Sequence, residues 1–505
     1  MNVDNKESLT GRELLWFCAF LMVAAFCLYA NTFGNGWTYD DFPVVVENPD
    51  IRSLGNFFAD IYPGRPLREV TFLLDHALFG LNPAGYHIQN IFWHGLNAAL
   101  LFLLCLRLQN GKIVAAGAAL LFLVHPLQVE VVANISHRKD SLVVAFSLLA
   151  ILAYGKAFDV NGRKYLWLLL SFGLTGVAYL AKQNALAIPV IFLAYEWAYL
   201  PREDRFLLRY PALFWVGVLA ALSGVGLWYG FFGGREIHLP LMRSFLAAKA
   251  NYFGEFSPAL YYLMVLKTWA FMWVKFLLPT ALAVEYTYPV PVTVFDPWVL
   301  GALAALGLYV GALWHSARRY PAAFFALVWM GAFWLPVSNL WPLSYFAADR
   351  YMYAPSAGFF ILAVLLLSKV LGTTTLFRSI LLGGALLLAL LTWNQNKVWR
   401  SPETLWTRAY AVSPTSAFAL NNLGNIALGK GERLRARDFY ARAAEVNPFN
   451  PTAHYNLGLI YEGVGDKTRA LEHFRRFLKI DSPLFRPQAK DLREHLARHY
   501  GVSVD

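Results

Sequence analysis

Residues 14–30 read LLWFCAFLMVAAFCLYA, an apolar run without a single charged side chain. This length approaches the roughly 20 residues that a helix needs to cross a bilayer core. No small-residue cleavage site follows, so the run predicts a retained transmembrane helix rather than a signal peptide. The whole chain is 58% hydrophobic and only 15% charged, with a mean hydropathy of +0.44. The composition predicts a multi-span membrane protein and excludes a soluble enzyme, a disordered chain and a disulfide scaffold.

Ten further segments can cross a membrane once their flanking residues are included. They cover residues 88–106, 113–124, 141–154, 165–180, 185–200, 211–231, 298–314, 321–341, 354–368 and 379–393. Segment 260–278 differs, because it holds Lys267 and Lys275 among Trp269 and Trp273. Aromatic and basic side chains together favour an interfacial or re-entrant helix over a lipid-facing span. The sequence therefore predicts an all-α bundle with about 11 spans plus interfacial helices.

Basic residues occur in five short loops, and these predict the orientation. The loops contain Arg107 and Lys112; Lys156, Arg163 and Lys164; Arg202, Arg205 and Arg209; Arg318 and Arg319; Lys369 and Arg378. With a cytoplasmic N-terminus and a non-crossing segment 260–278, all five loops lie on the cytoplasmic side, as the positive-inside rule requires. The net charge of +11 is assigned to these loops, and we expect no nucleic-acid partner. We expect a multi-pass protein of the cell inner membrane whose C-terminal region is periplasmic.

A soluble helical pattern begins near residue 397, and it contains an internal repeat. Asn422-Leu423-Gly424 recurs as Asn456-Leu457-Gly458, an offset of 34 residues. A 34-residue helix–turn–helix with small residues at the helix crossing is the tetratricopeptide pattern, which stacks into an α-solenoid. We expect a transmembrane module over 1–396 and a repeat domain over 397–505, with a half-unit at 403–414, repeats at 416–448 and 450–483, and a capping helix at 488–499.

The long loop after the first helix carries two adjacent carboxylates, Asp40 and Asp41. Neighbouring carboxylates raise each other's pKa, which suits one of them to act as a general base near neutral pH. The structural alternative is a turn in which the pair caps a short interfacial helix. Asp40 and Asp41 are therefore candidate catalytic residues.

The next loop on that face contains His125, Glu130 and the run His137-Arg138-Lys139-Asp140. Three basic groups beside an acid can hold a phosphate or diphosphate, with Arg138 and Asp140 as candidate site residues. The alternative is a solvated loop that caps the helix after it.

Two more cations stand in short connections on the same face. Lys182 precedes segment 185–200, where backbone N–H groups and the helix dipole favour an anion. Its alternative role is that of a lysine that snorkels to the membrane surface. Arg350 precedes the segment that begins near residue 354, and its alternative is an internal ion pair. Lys182 and Arg350 are candidate ligands of a phosphate.

The first loop and the helix after it supply two further candidates. Arg65 adds positive charge to the loop, and His87 stands at helical spacing with Asn90 and His94. Three polar residues on one helix face predict that this face is turned toward a cavity.

No signature of a serine, zinc, nucleotide or dinucleotide site accompanies these residues, since the chain has no CxxC, HExxH, GxSxG, GxGxxG or complete Walker loop. A carboxylate beside a collar of cations at the membrane surface fits group transfer from a phosphate-linked lipid. Two alternatives stay open. One is a membrane scaffold that presents the repeats to a protein partner, and the other is a transporter of the lipid-linked sugar.

Seven short motifs follow one another along the chain. They are Tyr39-Asp40-Asp41; Arg65-Pro66-Leu67; Leu81-Asn82-Pro83 with Gly85-Tyr86-His87; His125-Pro126 with Glu130; Ser136 with Arg138-Lys139-Asp140; Ala181-Lys182-Gln183-Asn184; and Asp349-Arg350-Tyr351-Met352-Tyr353 with Pro355-Ser356. Their order and the repeat tail resemble the TMTC-type proteins, which join a membrane glycosyltransferase of the GT-C class to tetratricopeptide repeats. The short repeat tail is more similar to bacterial relatives than to eukaryotic ones.

The resemblance implies a GT-C fold and inverting transfer of a sugar from a polyprenyl-phosphate carrier to a hydroxyl acceptor. In eukaryotic relatives the donor is dolichyl-phosphate mannose and the acceptor is protein Ser or Thr; a glycan or lipid acceptor stays open here. By the same resemblance, Asp40 is the general base and Asp41 its neighbour. A divalent metal could bind through Asp40, Asp41 and Glu130, although nothing in the sequence requires one.

The family motifs also imply how the leaving lipid phosphate is held. Lys182 would bind it, with help from Arg138 or Arg350. Where the family has a Lys-Glu pair, this chain has Lys182-Gln183, which removes one negative charge. A role that needs that acid is therefore in doubt, whereas phosphate binding by Lys182 is unaffected.

Overall fold

The computed structural model describes residues 9–59, 65–159, 163–210, 212, 258–287, 293–341, 343, 345–480 and 485–501. Every regular element in these ranges is a helix, and none of them contains a β-strand. The predicted class, a polytopic helical bundle followed by a helical solenoid, is confirmed. The helices are numbered α1–α21 below, over the described residues alone.

Helices α1–α15 build the membrane part of the chain. They are α1 (Gly11–Leu28), α2 (Leu54–Ala59), α3 (Pro66–Phe79), α4 (Pro83–Arg107), α5 (Lys112–Val124), α6 (Val129–Ala133), α7 (Arg138–Lys156), α8 (Lys164–Ala181), α9 (Ile188–Tyr199), α10 (Phe206–Arg209), α11 (Pro258–Leu277), α12 (Pro297–Ser316), α13 (Pro321–Trp334), α14 (Tyr353–Leu371) and α15 (Thr375–Asn396). Local signals set some boundaries: Thr10 and Glu13 form a capping box at α1, and Asn82 caps α4 before Pro83.

Seven described helices are long and apolar enough to cross a membrane, namely α1, α4, α8, α11, α12, α14 and α15. The bent pair of α5 with the helical residues Pro126–Ala133 adds an eighth candidate. Helices α7, α9 and α13 are shorter or begin with charged residues, yet they pack against these spans. The predicted span 211–231 lies outside the described residues apart from residue 212. The count of eleven crossings therefore stays a prediction.

The basic loops meet at one end of the bundle. Arg107, at the end of α4, donates to Tyr195 Oη at 3.1 Å, and Trp197 Nε1 of the same α9 donates to Ala317 O at 2.9 Å. Lys369, at the end of α14, lies 4.0 Å from the centroid of an aromatic ring in the α12–α13 loop. The loops thus share one side, as the predicted orientation requires. The opposite end of the bundle is called the distal end below.

Helix α11 is the segment whose lysines made a span doubtful. It has the length and hydropathy of a span, but both of its ends contact the distal end. Tyr261 Oη donates to Asn339 O at 2.6 Å near the start of α11, and His125 Nε2 lies 3.1 Å from Phe276 O near its finish. Residues 125 and 339 follow the ends of α5 and α13, so α11 lies along the distal end. Both of its lysines are buried and bonded there.

The C-terminal helices form stacked hairpins. They are α16 (Pro402–Val412), α17 (Ala417–Gly429), α18 (Arg433–Val446), α19 (Pro451–Gly463), α20 (Lys467–Ile480) and α21 (Arg486–Tyr500). A Cβ on Gly424 would lie 2.6 Å from the ring of Tyr440, and one on Gly458 would lie 2.3 Å from the ring of Phe474. Both glycines are therefore needed for the close approach of the paired helices, as the sequence predicts. Residue 483, at which the second repeat is predicted to end, lies outside the described residues.

The first repeat helices pack directly on the distal end. Trp406 of α16 is 3% exposed and belongs to the same continuous core as the membrane helices. Arg408 Nε donates to Leu282 O at 3.1 Å, and Thr287 N donates to Ser413 Oγ at 3.1 Å. Polar bonds to the segment after α11 and a shared core therefore attach the repeats to the distal end.

Candidate active site

Asp40 lies in the first loop of the distal end, and its side chain is 42% exposed. Its Oδ2 is 3.8 Å from Nε2 of His137. The residue before it, Tyr39, has a φ of +50°, a left-handed conformation that bulky side chains rarely adopt. Asp40 is therefore presented by an unusual turn, with its carboxylate accessible.

Asp41 has the opposite character, because it is fully buried. Its Oδ2 accepts a hydrogen bond from Thr38 N at 3.0 Å, and its Oδ1 accepts one from Ser136 N at 2.8 Å. Burial raises the pKa of Asp41 to about 7, and these hydrogen bonds oppose the rise. It makes no side-chain cap to the helical residues Phe42–Val46. Asp41 thus ties the first loop to the second, and of the two carboxylates Asp40 is the accessible one.

Side chains of the second loop and of the loop before α14 extend the series of contacts that begins at Asp40. His137 Nδ1 lies 3.9 Å from Glu130 Oε1. Glu130 accepts hydrogen bonds from Arg350 N at 2.8 Å and from Arg350 Nη1 at 2.5 Å. Burial, and then the nearby cations Lys139 and Arg350, hold the pKa of His137 well below its ordinary 6.5. A neutral imidazole therefore stands between two carboxylates at pH 7.

Lys182 and Asp140 form the next pair. Lys182 Nζ lies 2.5 Å from Asp140 Oδ1, and both side chains are at most 10% exposed. Burial lowers the pKa of Lys182, Asp140 opposes this change, and the charge of Arg65 reinforces it. The other oxygen of Asp140, Oδ2, is buried without a hydrogen-bond partner in the described structure. The pair therefore keeps hydrogen-bonding capacity for a further group.

Arg65 and Lys139 complete the positive side. Arg65 Nη1 donates to Gln183 Oε1 at 3.2 Å, so the residue that departs from the family pattern contacts a cation. Lys139 is half-buried, and its ammonium donates a long hydrogen bond of 3.4 Å to Ser136 O. Burial, and then the charges of Arg68 and Arg65, hold the pKa of Lys139 well below its ordinary 10.5, and the carboxylates of Asp140 and Asp40 oppose this change. Lys139 thus lies near enough to interact with the exposed carboxylate, and Arg65 lies on the Gln183 side of the site.

We call this group the Asp40 cluster: Asp40, His137, Glu130, Arg350, Lys139, Asp140, Lys182 and Arg65. It combines four cations with three carboxylates and a neutral imidazole. In this arrangement the exposed carboxylate can accept a proton, and the basic side chains behind it can stabilise an anion nearby. Asp40 and Lys182 lie at the same end of the bundle, which the predicted chemistry requires.

The structure contradicts the predicted phosphate role of Arg138. The side chain is 0% exposed, and its Nη1 lies 2.5 Å from Asp75 Oδ2. Its Nε donates to Asn90 Oδ1 at 2.7 Å, and its Nη2 donates to Tyr86 O at 3.0 Å. Thr71 accepts a further bond from the guanidinium. We call these five residues the Arg138 network, and its guanidinium is inaccessible to a phosphate.

Two predicted histidines are also structural. His87 is 0% exposed on the buried face of α4, beside the charge of Arg138. The amide of Asn90 donates to Val132 O and Asn134 O, so this member of the polar stripe is bonded to neighbouring backbone, and the predicted cavity stays a prediction. His125 accepts a hydrogen bond from Leu127 N and contacts the end of α11, which stabilises the corner after α5.

Lys139 and His137 belong to the cluster, although the sequence reasoning chose Arg138 from the same run. Successive residues at the start of a helix point about 100° apart, so Arg138 and Lys139 cannot face the same side. Helix α7 begins at Arg138. The helical phase of this run was therefore the signal that could have separated the two residues.

A metal ion finds no evident ligand set in the described ranges, where no group of three or more His, Cys, Asp or Glu side chains converges. Backbone N–H groups occupy Asp41, and Arg350 occupies Glu130. Asp40, Asp41 and Glu130 therefore do not converge on a common ion.

Comparison with known proteins agrees with the sequence pattern. A family model described as tetratricopeptide repeat matches residues 451–483. Protein O-mannosyl-transferase F38B6.6 of Caenorhabditis elegans is 26% identical over 426 residues, which cover 79% of this chain and 58% of that protein. Human protein O-mannosyl-transferase TMTC4 is 26% identical over 513 residues, covering 87% of this chain and 68% of the relative. Human protein O-mannosyl-transferase TMTC1 is 28% identical over 488 residues, covering 83% and 54%.

The predicted resemblance to TMTC-type proteins is confirmed, since the chain has such homologues over most of its length. The chain spans little more than half the length of two of these relatives, 58% and 54%. Among solved structures, ArnT from Cupriavidus metallidurans bound to undecaprenyl phosphate aligns with a TM-score of 0.43 at 17% identity, covering 97% of this chain and 81% of that one. The archaeal oligosaccharyltransferase AglB from Archaeoglobus fulgidus aligns with a TM-score of 0.41 at 15% identity, covering 82% and 58%.

Proposed function

We propose that this homologue of the TMTC-type protein O-mannosyl-transferases is a membrane glycosyltransferase. It moves a sugar from a polyprenyl-phosphate carrier to a hydroxyl group of a protein Ser or Thr. The observation that carries the proposal is the Asp40 cluster at one end of a membrane bundle. In it, an exposed carboxylate lies 3.8 Å from His137 and interacts with the charge of Lys139, while Lys182 pairs with Asp140 in the same cluster. The proposal includes the non-cytoplasmic face as the location of the distal end, because the basic loops gather at the other end.

In the proposed reaction, Asp40 accepts the proton of the acceptor hydroxyl while the hydroxyl oxygen attacks the anomeric carbon. The bond from that carbon to the phosphate oxygen breaks, and its electron pair leaves with the lipid phosphate. A single displacement of this kind inverts the anomeric centre. Negative charge grows on the phosphate as the bond breaks, so cations that are already in place lower the barrier.

Lys139 is the cation best placed to meet the phosphate first. Within the described residues it forms no ion pair, and its ammonium has one long hydrogen bond. Lys182 and Arg350 are paired with Asp140 and Glu130, so a phosphate must share them with a carboxylate. We therefore assign the leaving group chiefly to Lys139 and Lys182.

A protein acceptor is proposed because the printed names of the relatives are protein O-mannosyl-transferases. The position of the repeats agrees with this, since α16 and α17 pack beside the loop that carries Asp40. A stacked helical-hairpin array has an extended surface that suits a polypeptide.

The test uses the full chain in lipid nanodiscs with a labelled mannosyl polyprenyl phosphate and a Ser/Thr-rich peptide. Wild-type protein should transfer label to the peptide, and Asp40→Asn should lower the rate by about 10²–10⁴-fold, because a general base contributes that much. Asp204→Asn is the control, because Asp204 is exposed in the α9–α10 connection, at the other end of the bundle. Full activity of Asp40→Asn would refute the role of Asp40 as general base. A wild-type chain that transfers no label would refute the proposed reaction.

A further inference from the structure

Tyr39 connects the Asp40 cluster to the repeat domain. Its Oη lies 2.6 Å from Tyr345 Oη. Its ring meets the ring of Trp406 in α16 edge-to-face with centroids 5.6 Å apart, and the ring of Phe418 in α17 at 6.5 Å. Arg350 of the cluster lies 5.1 Å from the centroid of the Tyr345 ring. An unbroken series of contacts therefore runs from the first two repeat helices to the cluster.

Asp40 itself has few contacts that could fix its carboxylate. The nearest titratable partner is 3.8 Å away, beyond hydrogen-bonding distance, and the side chain is 42% exposed. Its position is therefore set by its neighbours in the chain. Asp41 is bonded to Ser136 N of the second loop at 2.8 Å, and Tyr39 is held by the aromatic contacts of the repeats.

The backbone of Tyr39 shows that these contacts matter. A tyrosine with a φ of +50° persists only where its surroundings over-determine the conformation. The surroundings here are Tyr345 and the two aromatic side chains of the repeats, Trp406 and Phe418. Without these contacts, Tyr39 can relax to an ordinary backbone conformation, and the turn that presents Asp40 changes.

We infer that Trp406 and Phe418 position Asp40 through Tyr39, so that the first repeat helices are part of the catalytic centre. This rests on the proposed role of Asp40 as general base. Trp406, Phe418 and Tyr39 are positioning residues, because they act through Asp40. Repeats that only recruited an acceptor would change its KM, whereas repeats that position the base change kcat.

The first measurement is hydrogen exchange of the full chain in nanodiscs, which needs no activity. The amides of Asp41 and Val44 donate to Thr38 O at 2.9 Å and Asp40 O at 3.2 Å, and they report on the turn. Trp406→Ala and Phe418→Ala should each raise their exchange about two- to tenfold, which corresponds to the loss of an aromatic pair.

Two further variants control this measurement. Phe449→Ala removes a ring that is 61% exposed between α18 and α19, and it should leave exchange in the turn unchanged. Trp406→Phe keeps an aromatic edge against Tyr39 and should restore protection. Phe418 is 39% exposed, so its variant remains informative if Trp406→Ala fails to fold. Unchanged exchange in Phe418→Ala overturns the inference, whether or not the chain transfers sugar.

The second measurement separates positioning from recruitment in the transfer assay. Phe418→Ala and Trp406→Ala should lower kcat by at least the same factor by which they raise hydrogen exchange in the turn. The KM for the acceptor peptide should stay within about twofold of wild type. Trp406→Phe should restore kcat. A raised KM with an unchanged kcat overturns the inference. An inactive wild-type chain refutes the proposed function alone, because hydrogen exchange still decides whether the repeats hold the turn.

Discussion

Arg138 and Lys139 are neighbours in the sequence, yet they belong to charge networks of opposite character. Arg138 and Asp75 are both 0% exposed, and the guanidinium is surrounded by bonded partners. Lys139 is half-buried with one long hydrogen bond, and it faces Asp40, whose side chain is 42% exposed. The same run of residues thus supplies both a closed structural pair and part of an open site.

The difference teaches which charges hold the fold and which are kept for chemistry. A buried ion pair that loses one partner leaves an uncompensated charge, so the remaining partner makes the loss costly. An exposed carboxylate beside cations contributes little to folding, because water screens it and can replace its partners. Variants of the Arg138 network should therefore change stability, whereas variants of Asp40 and Lys139, which form no ion pair within hydrogen-bonding distance among the described residues, should change the rate of transfer.

The largest expected effect on stability is that of Arg138→Ala. Removal of the guanidinium leaves Asp75 buried and unpaired, which should lower the free energy of unfolding by about 3–5 kcal/mol. Chemical unfolding of the full chain in detergent measures this change. Asp40→Asn is the matched comparison and should stay within about 0.5 kcal/mol of wild type, as exposed substitutions do. Equal stability of the two variants would contradict the claim that the Arg138 network stabilises the fold more than Asp40 does.

The fold was largely predictable from the sequence, because apolar length and a 34-residue repeat are strong local signals. Segment 260–278 shows where such signals end. Its hydropathy alone suits a span, whereas its lysines and tryptophans point to the membrane surface. Contacts at both ends of α11 with the distal end favour the second interpretation, and they depend on tertiary structure that composition does not contain.

The candidate site was predictable as a set of loops, and less so as a set of side chains. Asp40, Glu130, Asp140, Lys182, Arg350 and Arg65 meet in the structure, whereas Arg138, His87 and His125 point into the protein. The sequence could not separate these groups, because the side toward which a residue points depends on where its helix begins. The choice of Arg138 over Lys139 failed for that reason.

Lys139→Ala gives the sharpest test of the open site formed by Asp40 and Lys139. It removes a cation without leaving a buried partner unpaired, so it should lower kcat/KM for the lipid donor about 10–100-fold, as the loss of a charge-assisted hydrogen bond does. Stability should hardly change. Lys182→Ala should lower both donor use and stability, because Asp140 loses its partner. Lys156→Ala, exposed at the basic end, is the control. If Lys139→Ala has normal donor kinetics, Lys139 does not bind the phosphate, and the proposed phosphate ligands are Lys182 and Arg350.

A variant of His137 shows whether the side chain between the two carboxylates acts as a charged group or as a neutral one. Its pKa lies well below 6.5 because of burial and nearby cations, so the ring is neutral at the pH of the reaction. His137→Gln should keep activity within about tenfold, since a neutral hydrogen-bonding side chain is retained. The pH–rate profile of wild type should show no ionisation of His137 near 6.5. A loss as large as that of Asp40→Asn, together with a step near 6.5, would make His137 a charged partner.

Glu285 provides an intermediate case and the smallest expected effect. It is buried like Asp75, but its carboxylate accepts a 2.5 Å hydrogen bond from Ser416 Oγ of the repeat domain, and burial raises its pKa from 4.5 to about 7. The folded protein therefore binds a proton more tightly than the unfolded chain, so stability falls as the pH rises from 4.5 to 7 and then levels off.

Glu285→Gln removes this pH dependence while it keeps an oxygen that accepts from Ser416. We expect a net gain of about 1 kcal/mol at pH 8, because relief from the buried charge exceeds the cost of an amide N–H without a partner. The gain should vanish well below pH 4.5, where Glu285 is protonated in both states. Thermal unfolding across this pH range measures the effect, with Ser416→Ala as the variant that keeps the carboxylate but loses its donor. A variant that is less stable than wild type at pH 8 would mean that the unpaired amide N–H costs more than the buried charge, and it would contradict this prediction.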